Sequence, residues 1–435
     1  MVPKFHRLAA PGLAIALLAA CDSATGASLP DGPPVVQVDF AQGGVTARSM
    51  VGFLHAMIPG SPPDSMVVPL RPALWRTPDP AYGARAMGFG ARWVLLMSDL
   101  WGYPATGWTP PYQDWAAWEA RVREIAQATR GQPIVYDIWN EPDQVDFWRG
   151  TEAQFYETFR RAERVLREEL GPGAVVSGPG YAHFGESKIR DFLRNIRQRG
   201  GRVDVLSWHE FLADGELPAI QSHLQTARRE FLNNSAYRAM GLSEIQVQEV
   251  GSVDAQYQPS TVLASFYFLE AGGADAAARA CWLPCWDNTL SNLLTPAGEP
   301  RAVWWAHQAY ASTLDARITS ETNDPRLVTF ASRGSDGVPA RVVVSHFGLR
   351  ANSPPLDVTL ELANLRMLAP SGGTGQFRVR VSQIPSTGPQ PLLALPVLAD
   401  TVVTAVADSV VRVPLPAFAV DEGRVITIAP EPAAP

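Results

Sequence analysis

Strand-like and helix-like segments alternate along most of this chain, and that alternation limits its fold more than any other feature. Short apolar runs ending in polar residues recur eight times: "VGFLHAM" (51–57), "ALWRTP" (73–78), "ARWVLLMSD" (91–99), "IVYDIWNEP" (134–142), "AVVSGPG" (174–180), "VDVLSWHEF" (203–211), "EIQVQEVGS" (244–252) and "AARACWLPCWD" (277–287). Runs of this kind suit strands buried on both faces of a parallel sheet. Helical patterns fill most of the intervals. Asp114 caps one of them, with Trp115, Trp118, Val122 and Ile125 at helical spacing. Thr151 and Gln154 form a capping-box signature ahead of another, which Gly171-Pro172 stops. Eight strand-then-helix units over roughly 270 residues predict an α/β fold, the (β/α)₈ barrel, whose usual length is about 250. The first connection, between the first and second strands, is irregular and proline-rich.

Beyond about Asp315 the texture changes. "LDVTLELANL", "GQFRVRVSQI" and "RVITIAP" alternate apolar and polar residues between Gly, Pro and Asp turns, which predicts a C-terminal antiparallel β-sandwich. The expected division is a barrel over 35–315 and a sandwich over 316–435. Gly-rich "PSGGTGQF" has no helix pattern after it and reads as a loop, not a nucleotide site.

At the N-terminus, Lys4 and Arg7 precede the apolar run "LAAPGLAIALLAA", too short for a membrane span and suited to a secretory signal over 1–20. Its ending, Leu18-Ala19-Ala20-Cys21, resembles a bacterial lipoprotein lipobox. That implies lipidation of Cys21, a tether over 21–34 and a membrane-anchored, extracytoplasmic protein. Cys281 and Cys285 are compatible with a local disulfide or with two buried thiols. A net charge of −7 with no basic run argues against nucleic acid as a partner. Thirteen Trp residues suit sugar stacking, though tryptophan also fills cores.

Two glutamates fall at strand ends, Glu141 on the fourth strand and Glu249 on the seventh. In a (β/α)₈ barrel the C-terminal strand ends carry the chemistry, and strands four and seven face each other across the mouth. Two carboxyl groups placed there can flank one scissile glycosidic bond, one as acid and one acting on the anomeric carbon. Asn140-Glu141-Pro142 with a glutamate ending strand seven resembles the clan A glycoside hydrolases. "DIWNEPD" (137–143), "SWHEF" (207–211) and the C-terminal sandwich are most similar to glycoside hydrolase family 39, which includes β-xylosidases, α-L-iduronidases and exopolysaccharide endoglycosidases.

The resemblance implies a retaining glycosidase acting on a carbohydrate substrate, with Glu141 as acid/base, Glu249 as nucleophile and no metal or organic cofactor. It implies that Asn140 binds the sugar 2-hydroxyl and that Arg76, with Arg71 as a rival, steadies the nucleophile. His209 matches a strand-six active-site histidine. Trp282 or Trp286 would supply a stacking floor, and His55 is a further pocket candidate. Glu141 must start protonated, which the negative charge of Glu249 would favour. One departure is Phe211, where the family pattern has a tyrosine bonding the nucleophile; Tyr257 is a candidate replacement. Another is Gln248, where a small hydroxyl residue is common. Phe211 also supports a rival reading, a catalytically silent barrel that binds glycans. For a lyase or esterase there is neither a Gly-x-Ser-x-Gly elbow nor a metal cluster in the sequence.

Overall fold

The computed structural model describes residues 32–281, 285–335, 338–348, 354–369, 375–407 and 409–431. Val35–Asp39 forms β1, which lies outside the barrel. Eight strands then close a barrel in chain order: β2 (Gly52–Leu54), β3 (Leu74–Arg76), β4 (Arg92–Leu96), β5 (Val135–Asp137), β6 (Val175–Tyr181), β7 (Val205–Glu210), β8 (Glu244–Val250) and β9 (Ala276–Arg279). All neighbours pair in parallel, and Phe53 opposite Arg279 closes the ring.

Side chains alternate across each strand. One alternation sends Trp75, Trp93, Leu206 and Val247 into the core shared with the surrounding helices. The other fills the barrel in layers. A small apolar layer of Leu74, Val94, Val135, Val205 and Ala278 forms a separate cluster. Two residues further along the same strands come Arg76, Asp137 and Ser207, all fully buried. Gln248 donates to the Ser177 hydroxyl (2.8 Å) and to Gln246 Oε1 (3.1 Å), and Ser177 donates to Ser207 (3.0 Å), so this polar layer is largely self-satisfied. Gln248 therefore belongs to the barrel interior.

Both predicted caps form. Asp114 accepts from the Ala117 amide at the head of Trp115–Ala128, and Thr151 and Gln154 close a capping box on Glu152–Leu170. The irregular first connection holds only a one-turn helix, Asp64–Val67, and a 3₁₀ turn.

The C-terminal region is a two-sheet sandwich with its own apolar core. Arg317–Ile318, Leu327–Ser332, Ala340–His346, Glu422–Pro430, Gln376–Ile384 and Val397–Thr404 make the six-stranded sheet. The four-stranded sheet contains Ser320–Thr322, β1, Leu356–Ala363 and Val410–Phe418. This changes the expected boundary at residue 35, because β1 pairs in parallel with Leu356–Ala363 and buries Val36 and Val38 in the sandwich core. Its pairing partners lie some three hundred residues away, which no local pattern encodes. The helix Pro259–Gly272 is apolar on nearly all sides because it is wedged between barrel and sandwich. There Tyr267 meets Phe330, and Phe268 meets Phe347, edge to face.

Candidate active site

Arg76 organises the mouth of the barrel from the end of β3. It is fully buried, and its fork reaches three acceptors: Asp137 Oδ2 (Nε, 2.8 Å), Glu249 Oε1 (Nη1, 2.6 Å) and Asn140 Oδ1 (Nη2, 2.9 Å). Burial alone would lower its pKa, but the carboxylates of Asp137 and Glu249 raise it above the ordinary value. Arg71 is not its rival, since it pairs with Asp315 on the surface. Accepting from Arg76 fixes the Asn140 amide so that its NH₂ is the donor end.

Glu141 lies beyond the end of β5 rather than closing it. Its backbone is left-handed (φ 42°), an uncommon conformation for a residue with a side chain. The Glu141 amide donates to the Gly180 carbonyl in β6 (2.9 Å), which holds the turn. Gly180 is itself at φ 71°, and a Cβ there would sit 2.5 Å from the Trp139 carbonyl oxygen. Glycine is thus required at the point that anchors the Glu141 loop. Glu249 is within β8, where a register shift sets it opposite His209 of β7. Irregularities of this kind re-aim side chains beside active sites.

His209 joins the two glutamates. Its Nδ1 is 2.8 Å from Glu141 Oε1, and its Nε2 is 3.8 Å from Glu249 Oε1. One oxygen of each carboxyl group and a ring nitrogen of His209 all lie within 4.8 Å of one another. Burial lowers the His209 pKa to about 4, so the ring is neutral at pH 7. Burial also raises Glu141 to about 7, against the pull of Arg76. The main cause is therefore desolvation, with a smaller push from Asp143, rather than the Glu249 charge expected from the sequence. Glu249 is raised too, again chiefly by burial, with His209 and Arg76 opposing. Arg76 is in direct contact with Glu249 and favours its ionised form. A protonated Glu141 can donate to His209 Nδ1, leaving Nε2–H turned toward Glu249.

These three residues also have the composition of a metal site. The donor set fits one poorly: a guanidinium already neutralises Glu249, and Glu141 holds its proton up to about 7.

His55 follows β2 and stacks on Trp286 (3.8 Å between ring centres), which remains partly exposed. Burial, with help from Arg76, lowers His55 to about 3. Tyr257 packs against the Arg301 guanidinium (5.2 Å). Phe211 lies edge-on to His209 (5.6 Å). Cys281 and Cys285 form a disulfide. Trp282 and Cys21 fall outside the described residues.

Sequence reasoning missed Asp99 and Tyr103. Asp99 follows β4, accepts a hydrogen bond from the Tyr103 hydroxyl and lies 3.5 Å from His55 Nε2. Burial raises Asp99 to about 6, against Tyr103 and Arg76. Its signal was a carboxylate at the polar end of "ARWVLLMSD", the same position on its strand that marked Glu141.

The model of Glycosyl hydrolases family 39 matches residues 109–243, a stretch that includes Asn140, Glu141 and His209 but ends before Glu249. A β-xylosidase of Geobacillus stearothermophilus is 32% identical over 79 residues, 18% of this chain and 15% of that protein. The chain thus aligns with only a small part of that relative's length. Among solved structures, a GH39 enzyme from Xanthomonas axonopodis pv. citri is similar with a TM-score of 0.65 at 13% identity, covering 95% of this chain and 100% of that one. A monomeric β-xylosidase from Caulobacter crescentus gives 0.64 at 14% identity, covering 91% and 99%. Residues 109–243 thus match the model of Glycosyl hydrolases family 39, and over nine-tenths of its length the chain is similar in fold to solved structures that include a GH39 enzyme.

Proposed function

We propose that this protein is a retaining glycosidase that uses Glu249 as nucleophile and Glu141 as acid/base. The observation that carries the reading is a close pair of carboxyl groups, within 4.8 Å by their nearest ligand atoms, in unlike environments. Arg76 is hydrogen-bonded to Glu249, while Glu141 has no such cation in contact and is raised to about 7. Divergent environments of this sort assign acid and base roles, and a separation of about 5–5.5 Å is typical of retention. In the first step Glu249 forms a bond to the anomeric carbon, the glycosidic C–O bond breaks, and Glu141 gives its proton to the departing oxygen. In the second, Glu141 takes a proton from water, which attacks the anomeric carbon and releases Glu249. The Asn140 NH₂ is available to the sugar 2-hydroxyl, and the Trp286 face to the ring.

A pH profile tests this assignment. For a glycoside with a poor leaving group, kcat/KM should fall as pH rises through about 7, where Glu141 loses its proton. The acid limb should lie above the ordinary glutamate range, because burial raises Glu249. Glu141→Gln should remove the basic limb. A profile level through pH 7 would assign the acid to another group.

Phe211 favours a second reading, glycan binding without turnover, because it lacks the hydroxyl that the family pattern places against the nucleophile. Detectable hydrolysis of any aryl glycoside, lost in Glu249→Ala, would dismiss it.

The lipobox resemblance supports an envelope location, with Cys21 lipidated. Cys21→Ser should move the protein from the membrane to the soluble fraction or leave the precursor uncleaved. Unchanged fractionation and processing would rule lipidation out at this residue.

A further inference from the structure

The pocket contains a third carboxyl group that double displacement does not use. Asp99 is held on one oxygen by the Tyr103 hydroxyl, and its other oxygen faces His55 Nε2 at 3.5 Å. Tyr103 also meets Ser98 Oγ at 2.7 Å, and that oxygen accepts from the Asn140 amide at 3.0 Å. Asp99 is thereby tied to the loop that carries Glu141. Its side chain keeps 16% exposure, and the His55 ring beside it is covered by Trp286, which is 47% exposed. Arg76, bound to Glu249 and to the Asn140 side chain, also acts electrostatically on Asp99, and Asp99 on Glu249.

The charge balance of this site is unusual for one that must admit a polar ligand. Glu141, Glu249, Asp99 and Asp137 all interact electrostatically with Arg76. The cation at its centre, Arg76, is already bound to Asp137, Glu249 and Asn140, and Lys188 at the outer edge pairs with Asp143. His55 and His209 are uncharged at pH 7.

We propose that Asp99, oriented by Tyr103 and His55 next to the open Trp286 ring, is a specificity-determining acceptor for sugar hydroxyls that fits the pocket to an uncharged glycosyl residue and excludes uronic acids. This rests on the glycosidase reading and narrows its substrate class. An ionised carboxylate only accepts hydrogen bonds, and hydroxyl groups supply the donors. Trp286 offers an apolar face to the ring. A uronic acid would instead bring a further carboxylate among these, where the described residues give it no lysine or arginine free of a carboxylate partner beside Asp99 and Glu249, and burying an unpaired charge is strongly unfavourable.

Matched aryl glycosides that differ only at C5, hydroxymethyl against carboxylate, test the idea in gluco and galacto series and in both anomers. The uncharged member should be preferred by about a hundredfold or more in kcat/KM, the scale set by an unpaired buried charge. Asp99→Asn should raise KM for it and narrow the ratio about tenfold. Calorimetric binding of the corresponding free sugars to wild type and Asp99→Asn reads the same preference without turnover. A uronic acid cleaved or bound as well as its uncharged partner, or a ratio unmoved by Asp99→Asn, overturns the proposal and leaves the glycosidase reading intact. Asp99-dependent binding of uncharged sugars with no cleavage supports the proposal and overturns the glycosidase reading.

Discussion

Glu249→Ala is expected to lower kcat/KM for aryl glycosides by at least about 10⁴-fold, the scale of removing a catalytic nucleophile. The fold should survive, because Arg76 keeps Asp137 and Asn140 as partners. Azide added to this variant should restore turnover and give a glycosyl azide of inverted anomeric configuration, since the small anion fits the space of the lost carboxylate. Rescue distinguishes an absent nucleophile from a collapsed pocket, which no small anion would repair. Azide rescue with retained configuration, or equal loss with no rescue and a lowered unfolding temperature, would count against the assignment.

Arg76→Leu should have the largest effect on stability. Asp137 is fully buried, with Oδ1 unbonded and Oδ2 held by Arg76, so the variant strands one buried carboxylate and loosens another. Breaking such a pair costs about 3–5 kcal/mol, measurable as a shift in the denaturation midpoint. Activity should also fall by about 10³-fold or more, because Glu249 loses the cation that favours its ionised form. The double variant Arg76→Leu/Asp137→Asn separates the two roles: stability should largely return while activity stays low. Arg76→Lys should recover only part of either, since an ammonium cannot span three acceptors as a planar fork does. Recovery of full activity in the double variant would show that Arg76 acts only on the fold.

The sequence made legible what is carried by local pattern. Strand runs of six to eleven residues with polar ends led to the barrel, and Asn140-Glu141-Pro142 led to the mouth of that barrel. Arg76 and His209, at the ends of the second and sixth predicted strands, followed from the family resemblance. What escaped depends on pairing or on strain. Val35–Asp39 reads as a strand in isolation, yet its place is fixed by Leu356–Ala363 and Ser320–Thr322 far along the chain. β9 stops at Arg279, short of the disulfide segment, because pairing with β8 ends there. The left-handed turn at Glu141 is set by Gly180 on the next strand, so its cause lies outside the motif. Asp99 was visible as a polar strand end but had no motif around it; only the Tyr103 and His55 contacts identify it. The acidity of Glu141 was expected to come from Glu249, whereas burial dominates, and burial is a property of the fold rather than of spacing.

The central claim is that a covalent bond to Glu249 forms during turnover. An activated 2-deoxy-2-fluoro analogue of whichever aryl glycoside the wild type accepts should inactivate it by slowing the second step. Mass spectrometry of the intact protein should show one added glycosyl unit, and peptide mapping should locate it on Glu249. A label on Glu141 or another carboxyl group, or a reaction that releases product of inverted configuration with no adduct, would contradict the account.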